Sequence, residues 1–145
     1  MEEKKIRRSC VDCAVTACEK KDGDYPDFCL TASLDEELLE EALACYEDPE
    51  NHKLAIAAAE VEYEGYLKLT RVEEIIQFAG KIGAKKIGIA TCVGLIRESR
   101  TLAKILRSHG LEVIGVACKT GAVDKSRIGI PEECQEIGCH MCNPI

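Results

Sequence analysis

Ten cysteines in 145 residues constrain this chain more than any other feature, because thiols at that density need a chemical partner. They stand at positions 10, 13, 18, 29, 45, 92, 118, 134, 139 and 142, gathered toward the two ends. The partner can be another thiol, a metal or a redox substrate. Disulfide scaffolds belong to small secreted chains. Nothing here marks export, since the segment from Met1 to Arg8 is charged and leads into no apolar stretch. The reading therefore places the protein in the cytoplasm, where dense thiols mean metal ligation or redox chemistry.

The spacing narrows this further. Cys10, Cys13, Cys18 and Cys29 form C-x2-C-x4-C-x10-C, and Cys134, Cys139 and Cys142 form C-x4-C-x2-C. Two thiols three positions apart across a turn can point the same way and share one metal. The second pattern is also the spacing of plant-type ferredoxin ligands. These seven cysteines are the candidate metal ligands, with an iron–sulfur cluster as the first expectation and Zn2+ on four thiolates as the alternative. His140 lies inside the last pair, where a residue between two ligands usually turns away from the metal. His109 ends a helical stretch and His52 stands near the start of one, so neither needs a chemical role.

Composition points to a globular chain. Hydrophobic residues make up 46% of the chain, with no tryptophan and only two phenylalanines, so a globular core must be built from aliphatic residues. At this length one domain is expected over 1–145. Residues 1–30 read as a cysteine-bearing loop, and a helical segment follows over 33–82. Within it, Ser33 with Glu36 and Thr70 with Glu73 read as capping boxes. Pro49 separates two helices, the second carrying an alanine-rich face at Ala55, Ala58 and Ala59. Leu34, Leu38, Ala42 and Cys45 share a helical face, which makes Cys45 a core residue. Gly83 is placed to stop the third helix.

The periodicity then changes. Lys86–Thr91 and Leu111–Ala117 are short apolar runs of the kind buried on both faces of a parallel sheet. Leu95, Leu102, Ile105 and Leu106 mark a helix between them, ended by Gly110. Residues 85–118 are thus a βαβ unit with an expected right-handed crossover, and the fold class is α/β. Two parallel strands make a poor sheet, so a second subunit in a homo-oligomer, or a further segment, is expected to complete it.

Cys92 and Cys118 each follow one of these strands, at the carboxyl edge where open α/β sheets bind ligands. They are the candidate cofactor-binding thiols. Cys92 also opens a helix, whose free amides favour a thiolate, which makes it the one candidate catalytic nucleophile. Arg97 and Arg100 follow on that helix, where solvent-facing charge is the default. No nucleotide-binding glycine loop or Ser-His-Asp pattern is present.

Charge and hydropathy exclude other classes. The net charge is −7. Between Ser33 and Glu64 stand eleven acidic side chains and one basic one, Lys53. Such a surface repels a phosphate backbone, so no nucleic-acid partner is expected. No apolar run approaches the roughly 20 residues of a membrane helix, and no membrane partner is expected either.

Several motifs together resemble a known cysteine-rich family, the domain of unknown function family number 1847, found largely in anaerobic bacteria and archaea. They are Cys10-Val-Asp-Cys-Ala-Val-Thr-Ala-Cys18, Tyr25-Pro-Asp-Phe-Cys29, Ile89-Ala-Thr-Cys-Val-Gly-Leu95, Val116-Ala-Cys-Lys119 and Cys139-His-Met-Cys-Asn-Pro-Ile145. The resemblance implies metal binding. It also implies a longer domain, since family members continue past Cys-Asn-Pro-Ile into a further α/β segment with another Cys-Val-Gly motif. Three functions remain open: an iron–sulfur protein that exchanges electrons with a redox partner protein, a structural zinc protein, and a thiol enzyme using Cys92.

Overall fold

The computed structural model describes residues 8–20 and 23–142. The charged start read above falls outside these residues up to position 7, as do Asn143-Pro-Ile145 of the last motif. The chain divides into two compact units, Met1–His52 and Lys53–Ile145.

The first unit is built from short pieces. A 3-10 turn at Cys10–Asp12 is followed by the single-turn helix α1 (Ala17–Lys20), the helix α2 (Glu36–Ala44) and a second 3-10 turn at Cys45–Glu47. The turn at Cys10 closes on itself, with Asp12 Oδ2 accepting from Ser9 N at 2.8 Å and Cys13 N donating to Cys10 O at 3.1 Å. Ser33 does not cap α2. Its hydroxyl donates to Cys29 O at 3.2 Å, and Asp35 takes the cap, Oδ1 accepting from Glu37 N at 3.0 Å and Leu38 N at 3.3 Å. An aspartate there also sets its negative charge against the positive helix end. Leu34, Leu38, Leu39 and Leu43 are exposed, and Cys45 is exposed too, its thiol donating to Glu41 O at 3.5 Å. The expected core role of Cys45 is therefore wrong: α2 buries no residue.

The helix α3 (Pro49–Gly65) begins at Pro49 rather than after it. Proline is suited to a first helical position because the amide it lacks would have no partner there. Asp48 Oδ1 accepts from Glu50 N at 2.9 Å and Asn51 N at 3.1 Å.

The second unit holds the core. On α3 the buried positions are Ala57, Val61 and Gly65, a stripe four residues apart that displaces the expected Ala55, Ala58 and Ala59 face. The helix α4 (Arg71–Ile82) starts on the expected capping box, Thr70 N donating to Glu73 Oε2 at 2.7 Å and Glu73 N to Thr70 Oγ1 at 3.4 Å. Gly83 ends it in the left-handed region at φ 76°, which glycine adopts without a Cβ penalty. Lys81 joins α4 to α3 through Glu60 at 2.9 Å and Glu64 at 3.1 Å.

The strands β1 (Lys86–Thr91) and β2 (Glu112–Ala117) pair in parallel, Lys86 opposite Glu112 and Thr91 opposite Ala117. The helix α5 (Ile96–Ser108) connects them. Ala103, Leu106 and Val113 form the buried cluster, with Ile75, Ile76, Ile87, Ile89, Leu102 and Leu111 packed against it. The architecture is α/β, as expected.

The strands, however, are buried on one face only. Ile87, Val113 and Ile89 look into the core, while the paired positions Gly88–Ile114 and Ala90–Val116 are exposed. Ile114 is 65% and Val116 51% exposed. Continuous apolar runs suggested cover on both sides, but the described residues supply helices to only one.

Candidate metal and thiol sites

The carboxyl edge of the sheet is built by hydrogen bonds that continue past the strands. Cys118 N donates to Thr91 O at 2.8 Å, extending the ladder by one rung and setting Cys118 beside the Thr91–Cys92 corner. Cys92 leads into the 3-10 turn Val93–Leu95 that opens α5, and Leu95 N closes that turn onto Cys92 O at 2.9 Å. The amide at this helix start does not serve Cys92. Val93 N donates to Cys118 Sγ at 3.4 Å, so the donor expected to favour a Cys92 thiolate is directed at the neighbouring strand's sulfur. A cleft of about 240 Å3 lies at the same edge, lined by Ala90, Thr91, Val116, Ala117 and Cys118.

The C-terminal segment returns to this edge. Met141 N donates to Val123 O at 2.7 Å and Lys125 N to Cys139 O at 2.9 Å. Asp124 and His140 form an antiparallel bridge, and Lys119 Nζ donates to His140 O at 2.5 Å. These ties hold the stretch just before Cys142 against Val123–Lys125 and Lys119. The Lys119 ammonium beside Cys142, with help from hydrogen bonding to Cys118 and from Lys125, holds its thiol below the ordinary range despite partial desolvation. Lys119 and Lys125 escaped the sequence reading, although Lys119 sits in the Val116-Ala-Cys-Lys119 motif.

Cys134 and Cys139 are exposed. Cys134 lies in a 3-10 turn at Glu132–Gln135, and no hydrogen bond joins its thiol to Cys118 or Cys142. His140 contributes its backbone to this region.

In the first unit Arg8 organises the loop. Its guanidinium bonds both carboxylate oxygens of Asp27 at 2.8 Å and lies 4.5 Å from the Phe28 ring centre. This ties the start of the Cys10–Cys13 turn to the segment ending at Cys29. The Cys29 thiol is held below its ordinary pKa. The Ala32 amide first, then the Thr31 amide and hydroxyl, lower its pKa against a smaller opposing effect of desolvation. Cys10 and Cys18 are exposed and Cys13 is half-buried.

The donor chemistry fits a thiophilic metal: each unit offers several free thiols, and in the second unit the Cys118 sulfur is already hydrogen-bonded by a backbone amide. Among the described residues no three acidic, histidine or cysteine side chains stand close enough to share one ion. A metal would therefore have to draw its ligands together, as metals do in small domains whose folding they drive. A hollow of about 670 Å3 between α3 and α4 is lined by residues such as Val61, Tyr66, Ile75 and Phe78 and by no cysteine. No described helix is long and apolar enough to cross a membrane.

An uncharacterized protein of Methanocaldococcus jannaschii is 44% identical over 100 residues, covering 69% of this chain and 51% of that protein. The chain thus spans about half the length of this curated relative. No solved structure matches it. A family model described as "Protein of unknown function (DUF1847)" matches residues 29–145, taking in Cys29 and every cysteine after it and leaving Cys10, Cys13 and Cys18 outside. The chain belongs to the DUF1847 family.

Proposed function

We propose that this is a metal-binding protein whose clustered cysteines carry an iron–sulfur cluster for electron transfer or redox sensing. Cys10, Cys13, Cys18 and Cys29 would supply one set of thiolates and Cys134, Cys139 and Cys142 the other, with Cys92 and Cys118 completing or facing a cluster. The observation that carries this reading is the environment of Cys118, whose sulfur accepts from Val93 N at 3.4 Å. Amide donors to ligand sulfurs are among the means by which proteins tune cluster potentials. A redox partner protein follows from that role, and a reducing cytoplasm suits ten free thiols. The exposed Ile114 and Val116 face supports completion of the sheet by a second copy or a further α/β segment.

One observation favours the zinc alternative. Among the described residues the first unit buries only Ala17, so it needs a staple, and a four-thiolate zinc site contributes folding energy directly. Catalysis by Cys92 has less support, because the helix-start amide serves Cys118.

Anaerobic purification with a visible spectrum and elemental analysis separates these readings. Iron with sulfide and absorption at about 400 nm is the expected result. Stoichiometric zinc without colour replaces it with the structural reading, and protein free of both metals overturns metal binding.

A further inference from the structure

We propose that the hollow between α3 and α4 is a binding site for an amphipathic organic cation, an amine carried on an apolar body. Its walls follow from the two helices that face it. Ala58 and Glu62 lie one turn apart on α3, and Tyr66 follows one turn on, just past the helix end. Arg71, Glu74 and Phe78 line the hollow from α4, again at one-turn spacing. The hairpin between the helices closes one end. Lys68 N and Leu69 N both donate to Gly65 O, at 2.8 and 2.9 Å. Leu69 folds back over Gly65, where a Cβ would stand 2.9 Å from the Leu69 Cδ1. The resulting space of about 670 Å3 is of the size that holds a small organic molecule.

The lining sets the class of ligand. Val61, Ile75 and Phe78 supply an apolar floor, which suits the body of the molecule. Charge sets the other end. On α3, Glu60 and Glu64 both bind Lys81, at 2.9 and 3.1 Å. On α4, Glu74 binds Arg71 at 2.6 Å. Glu62 makes no ion pair among the described residues. With Arg71 committed to Glu74, Glu62 leaves the lining one unmatched negative charge. The same carboxylate also borders a neighbouring hollow of about 530 Å3, shared with Tyr63 and Tyr66. A carboxylate beside tyrosine rings favours a cation, which the ring faces attract as well. Leu67 stands at the rim in the left-handed region, φ 56°, with 91% of its surface exposed. A bulky residue is strained there, and strain of this kind gathers at ligand clamps.

No cysteine lines the hollow, so this site does not depend on which metal the thiols hold. The full chain as purified is titrated by calorimetry with phenylbutylamine, and with phenylbutanol and phenylpentanoate as neutral and anionic counterparts of matched length. The amine should saturate one site and bind at least about tenfold tighter than the alcohol, the scale of a hydrogen bond to a charged group. The acid should bind weakest. Glu62→Gln should bring the amine down to the level of the alcohol. Ala58 is exposed, so Ala58→Phe disturbs no core; it should fill the hollow and abolish binding of all three probes while the circular dichroism stays that of the parent. The proposal is overturned by amine binding that does not saturate, or by an amine affinity no higher than that of the alcohol. An amine preference that survives Glu62→Gln, or amine binding that survives Ala58→Phe, overturns it equally.

Discussion

The two cysteine-bearing regions are held in place by different physics. Around Cys10–Cys29 the thiols sit on one-turn pieces joined by local hydrogen bonds and the exposed Arg8–Asp27 pair, and a single described residue, Ala17, is buried. At the sheet edge Cys92 and Cys118 are ends of paired strands, anchored to a core of Ala103, Leu106 and Val113. A thiol at the end of a strand has its position from the fold. A thiol in a loop without a core has only its neighbours in sequence and whatever it binds. The contrast separates thiols placed by local bonds from thiols placed by a packed core.

The largest expected effect follows from that difference. Removal of metal by chelation should raise amide hydrogen exchange sharply across 8–52 while leaving β1, α5 and β2 protected. Hydrogen-exchange mass spectrometry reads both regions in one sample. Equal loss of protection in the two would break the comparison, because the sheet edge would then depend on metal as much as the loop does.

A smaller effect tests whether the sheet is covered on one face. Leu106 is 1% exposed, so Leu106→Ala should cost about 2–5 kcal/mol through lost burial and the cavity left behind. Ile114 projects from the opposite, open face, and Ile114→Thr should fall within about 0.5 kcal/mol of the parent. Urea midpoints of the two variants check the pair. A cost at Ile114 approaching that at Leu106 would mean that its face is covered in solution.

The same contrast sets what could be read from the sequence. The strands were legible to the residue at β1 and within one residue at β2, because apolar runs bounded by Gly83 and Gly110 have few other solutions. The Thr70–Glu73 box was legible because both partners lie within one turn. Reading Ser33 as a cap failed because Asp35 offered a charged alternative two residues on and Cys29 O claimed the hydroxyl. Cover on both sheet faces failed because an apolar run reports only that side chains are apolar, whereas their cover depends on distant elements. Cys92 and Cys118 were placed correctly at the strand ends. The pairing of 139–141 with Val123–Lys125 was not legible, since it closes across a loop without periodicity.

The finest test concerns two thiols that are both acidified, by unlike causes. Cys142 is lowered chiefly by the Lys119 ammonium and Cys29 chiefly by uncharged amides. A lowered pKa raises the thiolate fraction at pH 7, so in the chelated protein Cys142 should alkylate faster than an ordinary thiol. As the pH falls through its lowered pKa the absolute rate should drop, and as the pH rises through the ordinary thiol range the relative advantage should disappear. At 1 M salt the screening length shrinks to about 3 Å. The pull of Lys119 then weakens, the Cys142 pKa climbs back toward its ordinary value, and labelling at pH 7 slows. Lys119→Gln should produce the same slowing at low salt. Cys29 has no charged partner among the causes of its shift, so its rate should be insensitive to salt whether or not its turn survives chelation. Quantitative labelling by mass spectrometry follows both thiols at once, and a salt response shared equally by the two would show that a common field, rather than Lys119, sets the reactivity of Cys142.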